Sequence, residues 1–309
     1  MAALSALLFL VLFPLLISIN PYYLHIATFS FLYAILCISW SIMVLSGYVS
    51  LGLASTFGLG CYLTSILSVL FHIPPIPSIV ISCIISSLSG ALVNYFFSKL
   101  GKKNFPLLSF AFTGALQGIF LLAWFIGGPE GIRNIPPLLD LKGNEHIAEY
   151  YFVLIAFLIA YISYMAVWKY RRKVILALKD DEMMVRALGV RTERLKLGVF
   201  LFSCLLSSLG GAIYAHLIGI MDPLIAFNIE SSIKPLIMSM AGGIMHMGGP
   251  VGGAIMLYLC EELLIHPWVP GGHLILYGGL LVVCITLAPD GIIQTIVNLF
   301  KKGLNHATA

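Results

Sequence analysis

Long apolar runs alternate with short polar breaks along the whole chain. Apolar stretches cover Met1–Ile19, Tyr22–Leu45, Leu51–Phe71, Ile79–Ser98 and Phe105–Ile126. After a polar interval come Tyr150–Trp168, a charged interval, Leu197–Ile218, two shorter stretches at Ile233–Met247 and Pro250–Ile265, and a last one at Gly271–Leu287. Most approach the ~20 residues a helix needs to cross ~30 Å of hydrocarbon. A membrane β-barrel would show two-residue alternation instead, and no other backbone satisfies its polar groups in lipid. The pattern predicts an all-α integral membrane protein: a polytopic helical bundle of about ten transmembrane segments forming a single domain over residues 1–309. The breaks agree with this. Asn20–Pro21 turns the chain, and the run His72-Ile-Pro-Pro-Ile-Pro77 can neither continue a helix nor supply amides. The first stretch has no basic flank and no small-x-small cleavage pattern, so it reads as a retained span.

Charge orients the bundle. Residues are 60% hydrophobic and only 10% charged, with a mean hydropathy of +1.01, which excludes a soluble globular domain. Nine of the seventeen Lys and Arg fall in Lys169–Lys196. Lys99, Lys102 and Lys103 form a second basic cluster, and Lys301 and Lys302 a third. The segment 127–149 holds four acids and two basic residues. The positive-inside rule puts the 169–196 loop in the cytoplasm and the 127–149 loop outside. Ten segments then place both termini in the cytoplasm, with Arg133, Lys142 and Lys234 the only basic residues off the cytoplasmic face.

Three glycine-rich stretches interrupt the spans, at 47–60, 207–215 and 241–254. Glycine costs roughly 1 kcal/mol against alanine inside an ordinary helix, so each needs a reason. At 207–215 the small residues recur at helical spacing and predict close helix packing. At 47–60 and 241–254 two readings stand: close packing, or a broken or re-entrant helix whose unwound backbone lines a polar path. The acids Asp180, Asp181 and Glu182 admit a metal–diphosphate or acid–base site, but a diphosphate site would require acids repeating at helical spacing and a second acidic block on another cytoplasmic loop, and no such block occurs. They also suit a short cytoplasmic helix over Ala177–Gly189, with acids in its early turns, Arg186 four residues after Glu182 and Gly189 as C-cap. Such a helix docks into a groove of a partner. Glu261 and Glu262 lie near the turn at His266-Pro-Trp268, which predicts placement at the membrane interface, and Lys234 has Glu230 one turn behind it. The six cysteines lie in apolar runs without CxxC spacing, and the eight histidines show no ligand spacing. The chain therefore predicts no metal, no cofactor and no catalytic centre. It also lacks a G-x-x-x-x-G-K-[ST] loop, so ATP would be bound by a separate subunit.

Six ordered blocks resemble one family. They are Leu45-Ser-Gly-Tyr-Val-Ser-Leu-Gly52 with Gly60-Cys-Tyr62; Gly127-Gly-Pro-Glu-Gly-Ile-Arg-Asn-Ile-Pro136; Ala177-Leu-Lys-Asp-Asp-Glu182 with Ala187-Leu-Gly-Val190; Lys196-Leu running to Gly210-Gly-Ala-Ile-Tyr-Ala215; Gly242-Gly with Gly249-Pro-Val-Gly-Gly-Ala254; and Ala288-Pro-Asp-Gly-Ile292. Together they resemble the LivM-type permease subunits of bacterial branched-chain amino-acid ABC importers, over about residues 22–295. The chain departs from that pattern at Leu53, at Met245-His-Met247 and at Lys234–Pro235. The resemblance implies alternating-access transport of branched-chain or related amino acids across the inner membrane. It places Ser50, Gly52, Gly60, Tyr62, Gly242, Gly243, Gly249 and Pro250 along the substrate pathway. Coupling to the ATPase falls to Asp180, Asp181, Glu182, Arg186, Ala187, Leu188 and Gly189. The partners it implies are a second, LivH-like permease, cytosolic ABC ATPases and a periplasmic or lipid-anchored solute-binding protein. Urea or short amides are the alternative substrates, and a self-sufficient secondary transporter is the alternative mechanism.

Overall fold

The computed structural model describes residues 21–139, 145–265 and 278–279. The span expected at Met1–Ile19, the turn at His266-Pro-Trp268 and all but two residues of the span expected at Gly271–Leu287 lie outside the described residues. The helices, in chain order, are α1 (Pro21–Leu45), α2 (Leu53–Val69), α3 (Pro75–Lys99), α4 (Phe105–Leu122), α5 (Glu145–Asp180), α6 (Glu182–Ala187), α7 (Thr192–Ile218), α8 (Pro223–Ala226), α9 (Glu230–Gly242) and α10 (Gly249–Cys260), the last running into a π turn at Glu261–Ile265. Two short strands, β1 (Ile132–Arg133) and β2 (Ile220–Met221), form an antiparallel ribbon pairing Ile132 with Met221. The described chain is thus all-α apart from one ribbon. Five of its helices (α1, α3, α4, α5 and α7) are long and apolar enough to cross a membrane, and the 17-residue α2 falls just short.

Helix α1 is the pillar. It is apolar on every side, which suits a helix kept from water by protein or by lipid, and here protein does most of the covering. Eighteen of its 25 residues are buried, beneath α5, α7, α9 and α10. Aromatic contacts run along it: Phe31 stacks on Phe157 of α5 at 5.1 Å, and Tyr33 meets Tyr258 of α10 at 5.1 Å. Helix α7 is the second pillar, with α2 and α3 packed on it. Their seam is made of small residues. A Cβ at Gly60 would strike the Ser208 backbone, one at Gly211 the Phe57 carbonyl, and one at Gly90 the Thr56 and Cys204 side chains. Close packing is therefore what the 207–215 stretch provides, as its spacing predicts.

The outer helices are built inside out relative to a soluble protein. Helix α3 buries Ser78, Ser82, Ser86, Ser87, Gly90 and Asn94, while it exposes Val80, Ile84, Leu88, Leu92 and Phe96. Helix α4 does the same, burying Ser109 and Thr113 and exposing Leu107, Ile119 and Leu122. Large apolar side chains facing out and small polar ones facing in describe a body solvated by lipid. Most of the buried serine and threonine hydroxyls are satisfied locally or across helices, Ser86 being an exception. Ser82 donates to Ile79 O at 2.9 Å, and Ser39 donates to Ser203 O at 2.7 Å.

The two ends differ. At one, the ribbon is tied down by Ile135 N–H donating to Gly219 O at 3.0 Å, and by the His216 Nδ1 contact to Pro136 O at 2.7 Å. Gly131 has φ +70°, and a Cβ there would meet the Met221 carbonyl, so this crossing requires glycine. At the other end gather Lys102, Lys179, Glu182, Arg186, Arg191 and Lys196. This basic end is where α5 hands over to α6 and α7.

Candidate functional site

The glycine-rich stretch at 47–60 contains a broken helix. After α1 the chain turns at Gly47 (φ +88°), where an added Cβ would lie 3.1 Å from the Lys179 Cα. It then runs without helix until Leu53. By then it has climbed to the middle of the bundle, because Leu53 O accepts from Ser207 Oγ at 3.1 Å, and Ser207 lies near the middle of the 27-residue α7. The unwound backbone is covered by protein, the condition under which non-helical chain survives at membrane depth. Trp40 Nε1 donates to Ser50 O at 2.9 Å, Leu51 N–H to Ser109 Oγ at 3.2 Å, and Gly52 N–H to Ser50 Oγ at 3.1 Å.

A second descent meets the first. After the ribbon, Asp222 caps α8 by accepting from Ile225 N–H at 2.7 Å. Ala226 and Phe227 then settle on Gly58. Helix α9 begins at this depth: Pro235 O accepts from Cys37 Sγ at 3.5 Å, and Ala54 N–H donates to Ser232 Oγ at 2.8 Å. The N-termini of α2 and α9 therefore meet near the middle of the bundle, and their positive dipole ends converge. Tyr62 closes this region. Its ring lies 4.6 Å from Phe120 and 5.9 Å from Phe227, and its buried hydroxyl has no hydrogen-bond partner. Of the residues the resemblance assigns to a pathway, Ser50, Gly52, Gly60 and Tyr62 all lie on or beside this junction. Gly60 is occupied by packing against α7.

Gly242, Gly243, Gly249 and Pro250 lie elsewhere. They form the corner between α9 and α10, at the basic end, where Arg172 donates to Met245 O at 3.0 Å. A Cβ on Gly242 would strike the Gly249 carbonyl, one on Gly249 the Gly243 carbonyl, and one on Gly253 the Met238 carbonyl. Of the two readings of 241–254, close packing is the one observed. The helices are joined backbone to backbone, and the break is a corner rather than an unwound span.

The charged residues of the second half form a pair that single-residue reasoning misses. Lys234 Nζ contacts Glu261 Oε1 at 2.9 Å, with both side chains largely buried at 15% and 7% exposure. The Lys234 ammonium also lies 5.9 Å from the Tyr33 ring. Glu261 is thus held inside the protein, at the start of the π turn, rather than at its surface. The sequence shows charges of both signs in apolar segments, each needing a partner, but Glu230 and Glu262 are as near at hand and nothing local selects Glu261 for Lys234.

At the basic end, the expected helix over Ala177–Gly189 is divided. Helix α5 continues unbroken to Asp180, and Asp181 N-caps α6, its Oδ1 accepting from Met183 N–H at 2.8 Å and Met184 N–H at 3.2 Å. The extended conformation of Asp181 (φ −147°) makes the break. Glu182 then fastens α6 to α7, with Lys196 Nζ at 2.6 Å and Arg186 at 3.4 Å. Burial opposes ionisation of Glu182, but the Lys196 ammonium, the Thr192 hydroxyl and Arg186 outweigh it and hold the carboxyl below its ordinary 4.5. Gly189, at φ +81°, ends the turn. Lys102 ties in α5 by donating to Leu178 O at 2.9 Å and Lys179 O at 2.8 Å, the arrangement a helix C-terminus favours. Only Val185 of α6 is buried. Met183, Met184 and Leu188 are 72%, 65% and 75% exposed, and Ala187 and Asp180 are exposed beside them. A rigidly held turn thus presents bare apolar side chains next to charges.

These features define a membrane-embedded transport permease: lipid-facing outer helices, an interrupted helix at mid-depth and a capped apolar turn at one end. Residues 22–285 match the family described as the permease component of branched-chain amino acid transport systems, and the chain belongs to that family. It is similar to the high-affinity branched-chain amino acid transport system permease protein LivM of Escherichia coli strain K12, 25% identical over 297 residues, with 87% of this chain and 69% of that protein covered. It is similar also to LivM of Salmonella typhimurium, at 24% identity and the same coverage. No solved structure matches the chain.

Proposed function

We propose that this chain is the permease subunit of an ABC importer that carries branched-chain amino acids by alternating access. A separate ATPase docks on α6 to drive it. Family membership and likeness to LivM support the substrate class. The observation that carries the mechanism is α6 itself. A six-residue helix with an Asp cap, an ion-paired base and exposed Met183, Met184 and Leu188 has little reason to exist in a monomer. It has the form of a segment that inserts into a groove of a soluble partner. In this reading Asp180, Asp181, Glu182, Arg186, Ala187, Leu188 and Gly189 form the coupling surface. The solute passes the junction of α2 and α9, where Ser50, Gly52, Gly60 and Tyr62 lie and two helix N-termini favour a carboxylate. Gly242, Gly243, Gly249 and Pro250 fix the corner next to the coupling end. The basic end is cytoplasmic, the membrane is the bacterial inner membrane, and about ten segments bring both termini to the cytoplasm. A second permease and an external binding protein complete the assembly.

The test uses the importer reconstituted with its ATPase, permease pair and binding protein. Leucine should accumulate on ATP addition, and urea should not. Ala187→Glu should leave the permease in the membrane, yet cost several kcal/mol of association by pressing a charge into the partner's groove. The ATPase should then fail to co-purify, and its hydrolysis should stop responding to loaded binding protein. Unchanged co-purification and unchanged stimulation would refute the coupling role of α6. Accumulation of urea in place of leucine would refute the substrate.

A further inference from the structure

A cavity of about 520 Å³ opens between α5 and α7 at the basic end, away from the junction of α2 and α9. Its inner wall includes Ile42, Val167 and Phe202, and its mouth carries Arg171, Arg191 and Arg194. The three arginines are exposed, and none pairs with a carboxylate of a described residue. Arg194 and Phe202 are eight residues apart on one helix, so the cleft extends roughly 12 Å from its charged rim into the span. Gly198 leaves the wall open, since a Cβ there would meet nothing within 4 Å.

The chemistry of this cleft selects its occupant. The charged side chains lining it are all guanidiniums, so it suits a phosphate or carboxylate. An amino acid would bring an ammonium that no lining carboxylate receives. A free phosphate would leave the apolar depth unfilled. A molecule with an anionic head and an apolar tail satisfies both parts, and basic pockets between membrane helices take such headgroups. We propose that the cleft between α5 and α7 is a binding site for an anionic phospholipid of the surrounding bilayer. Arg171, Arg191 and Arg194 hold its phosphate, and an acyl chain runs along Ile42, Val167 and Phe202. The site adjoins the connection between α6 and α7 and is independent of which solute is carried.

The full chain, purified in detergent, is titrated by native mass spectrometry with phosphatidylglycerol and phosphatidylcholine of identical acyl chains. Phosphatidylglycerol should bind on the order of a hundred-fold more tightly, about five-fold for each of the three arginines. The Arg191→Ala/Arg194→Ala variant should lose roughly five-fold per arginine for phosphatidylglycerol and little for phosphatidylcholine. Gly198→Leu, which fills the wall but keeps every arginine, should weaken both lipids. Excess inorganic phosphate or leucine should displace neither. Equal binding of the two lipids by the wild type, an undiminished preference in the double variant, or displacement by leucine would each overturn the assignment. The last result would make the cleft part of the solute path. Should the double variant fail to fold, the wild-type lipid comparison and Gly198→Leu still decide the matter.

Discussion

Single atoms decide how closely the helices approach. At Gly253 a methyl group would meet the Met238 carbonyl, whereas at Gly118 it would meet nothing within 4 Å. Gly253→Ala should therefore destabilise the detergent-solubilised protein by ~1–3 kcal/mol, the usual cost of overpacking. Gly118→Ala, in the interior of α4, should be neutral or slightly stabilising. Thermal unfolding of both variants checks the pair, and equal melting would mean that the corner between α9 and α10 has slack. The Lys234–Glu261 pair sets a second test. Lys234→Met leaves a buried carboxylate without its ammonium and should cost about 3–5 kcal/mol, whereas Lys234→Met combined with Glu261→Met should recover much of the loss. Additive losses in that double-mutant cycle would show that the two charges are not coupled.

Elements inherit their limits from such residues. Asp181 separates α5 from α6 because its side chain replaces the helix's own hydrogen bonds, accepting from two amides at once. The composition of 177–189 suits helix throughout, and so the sequence pattern predicts one helix where a cap makes two. Helix α2 shows the reverse. Gly47, Gly52, Gly58 and Gly60 announce an interruption, but its depth depends on partners far along the chain, Ser109, Ser207 and Ser232, which no local pattern names. The fastening of α6 has a pH signature. Glu182 titrates below its ordinary 4.5 in the folded protein, so its ion pair contributes fully above that value and is lost as pH falls through the lower, folded one. A nitroxide placed through Met183→Cys should show the restricted motion of an ordered helix surface at neutral pH and gain mobility on acidification below about 4.5. With Glu182→Gln added, it should be mobile throughout. A pH-independent spectrum in the parent would remove Glu182 from this role.

For the whole molecule, charge carries the orientation and hydropathy the spans. If the basic end is cytoplasmic, Glu130→Cys in a cysteine-free background should react with an impermeant thiol reagent on intact cells, and Met183→Cys should react only after lysis. The opposite pattern would invert the topology. The class of the protein was legible because lipid allows so few solutions: a continuous apolar run must become a helix. The pairing of Lys234 with Glu261 and the meeting of α2 with α9 were not, because they join residues brought together only by the packing around α1.

The unbroken α5 has one more consequence. Its 36 residues contain neither proline nor glycine, so it forms a stiff rod of roughly 54 Å. It rests on α1, where Phe157 stacks on Phe31. Taken as a fulcrum, that stack divides the rod into arms of roughly 18 Å toward Glu145 and roughly 35 Å toward Asp180. A tilt of about 10° would swing the long arm by about 6 Å and the short one by about 3 Å, in opposite directions. A beam pivoted in this way needs no separate signal to carry a push on its long arm to the opposite end. The two movements are one rotation, geared down by half across the membrane.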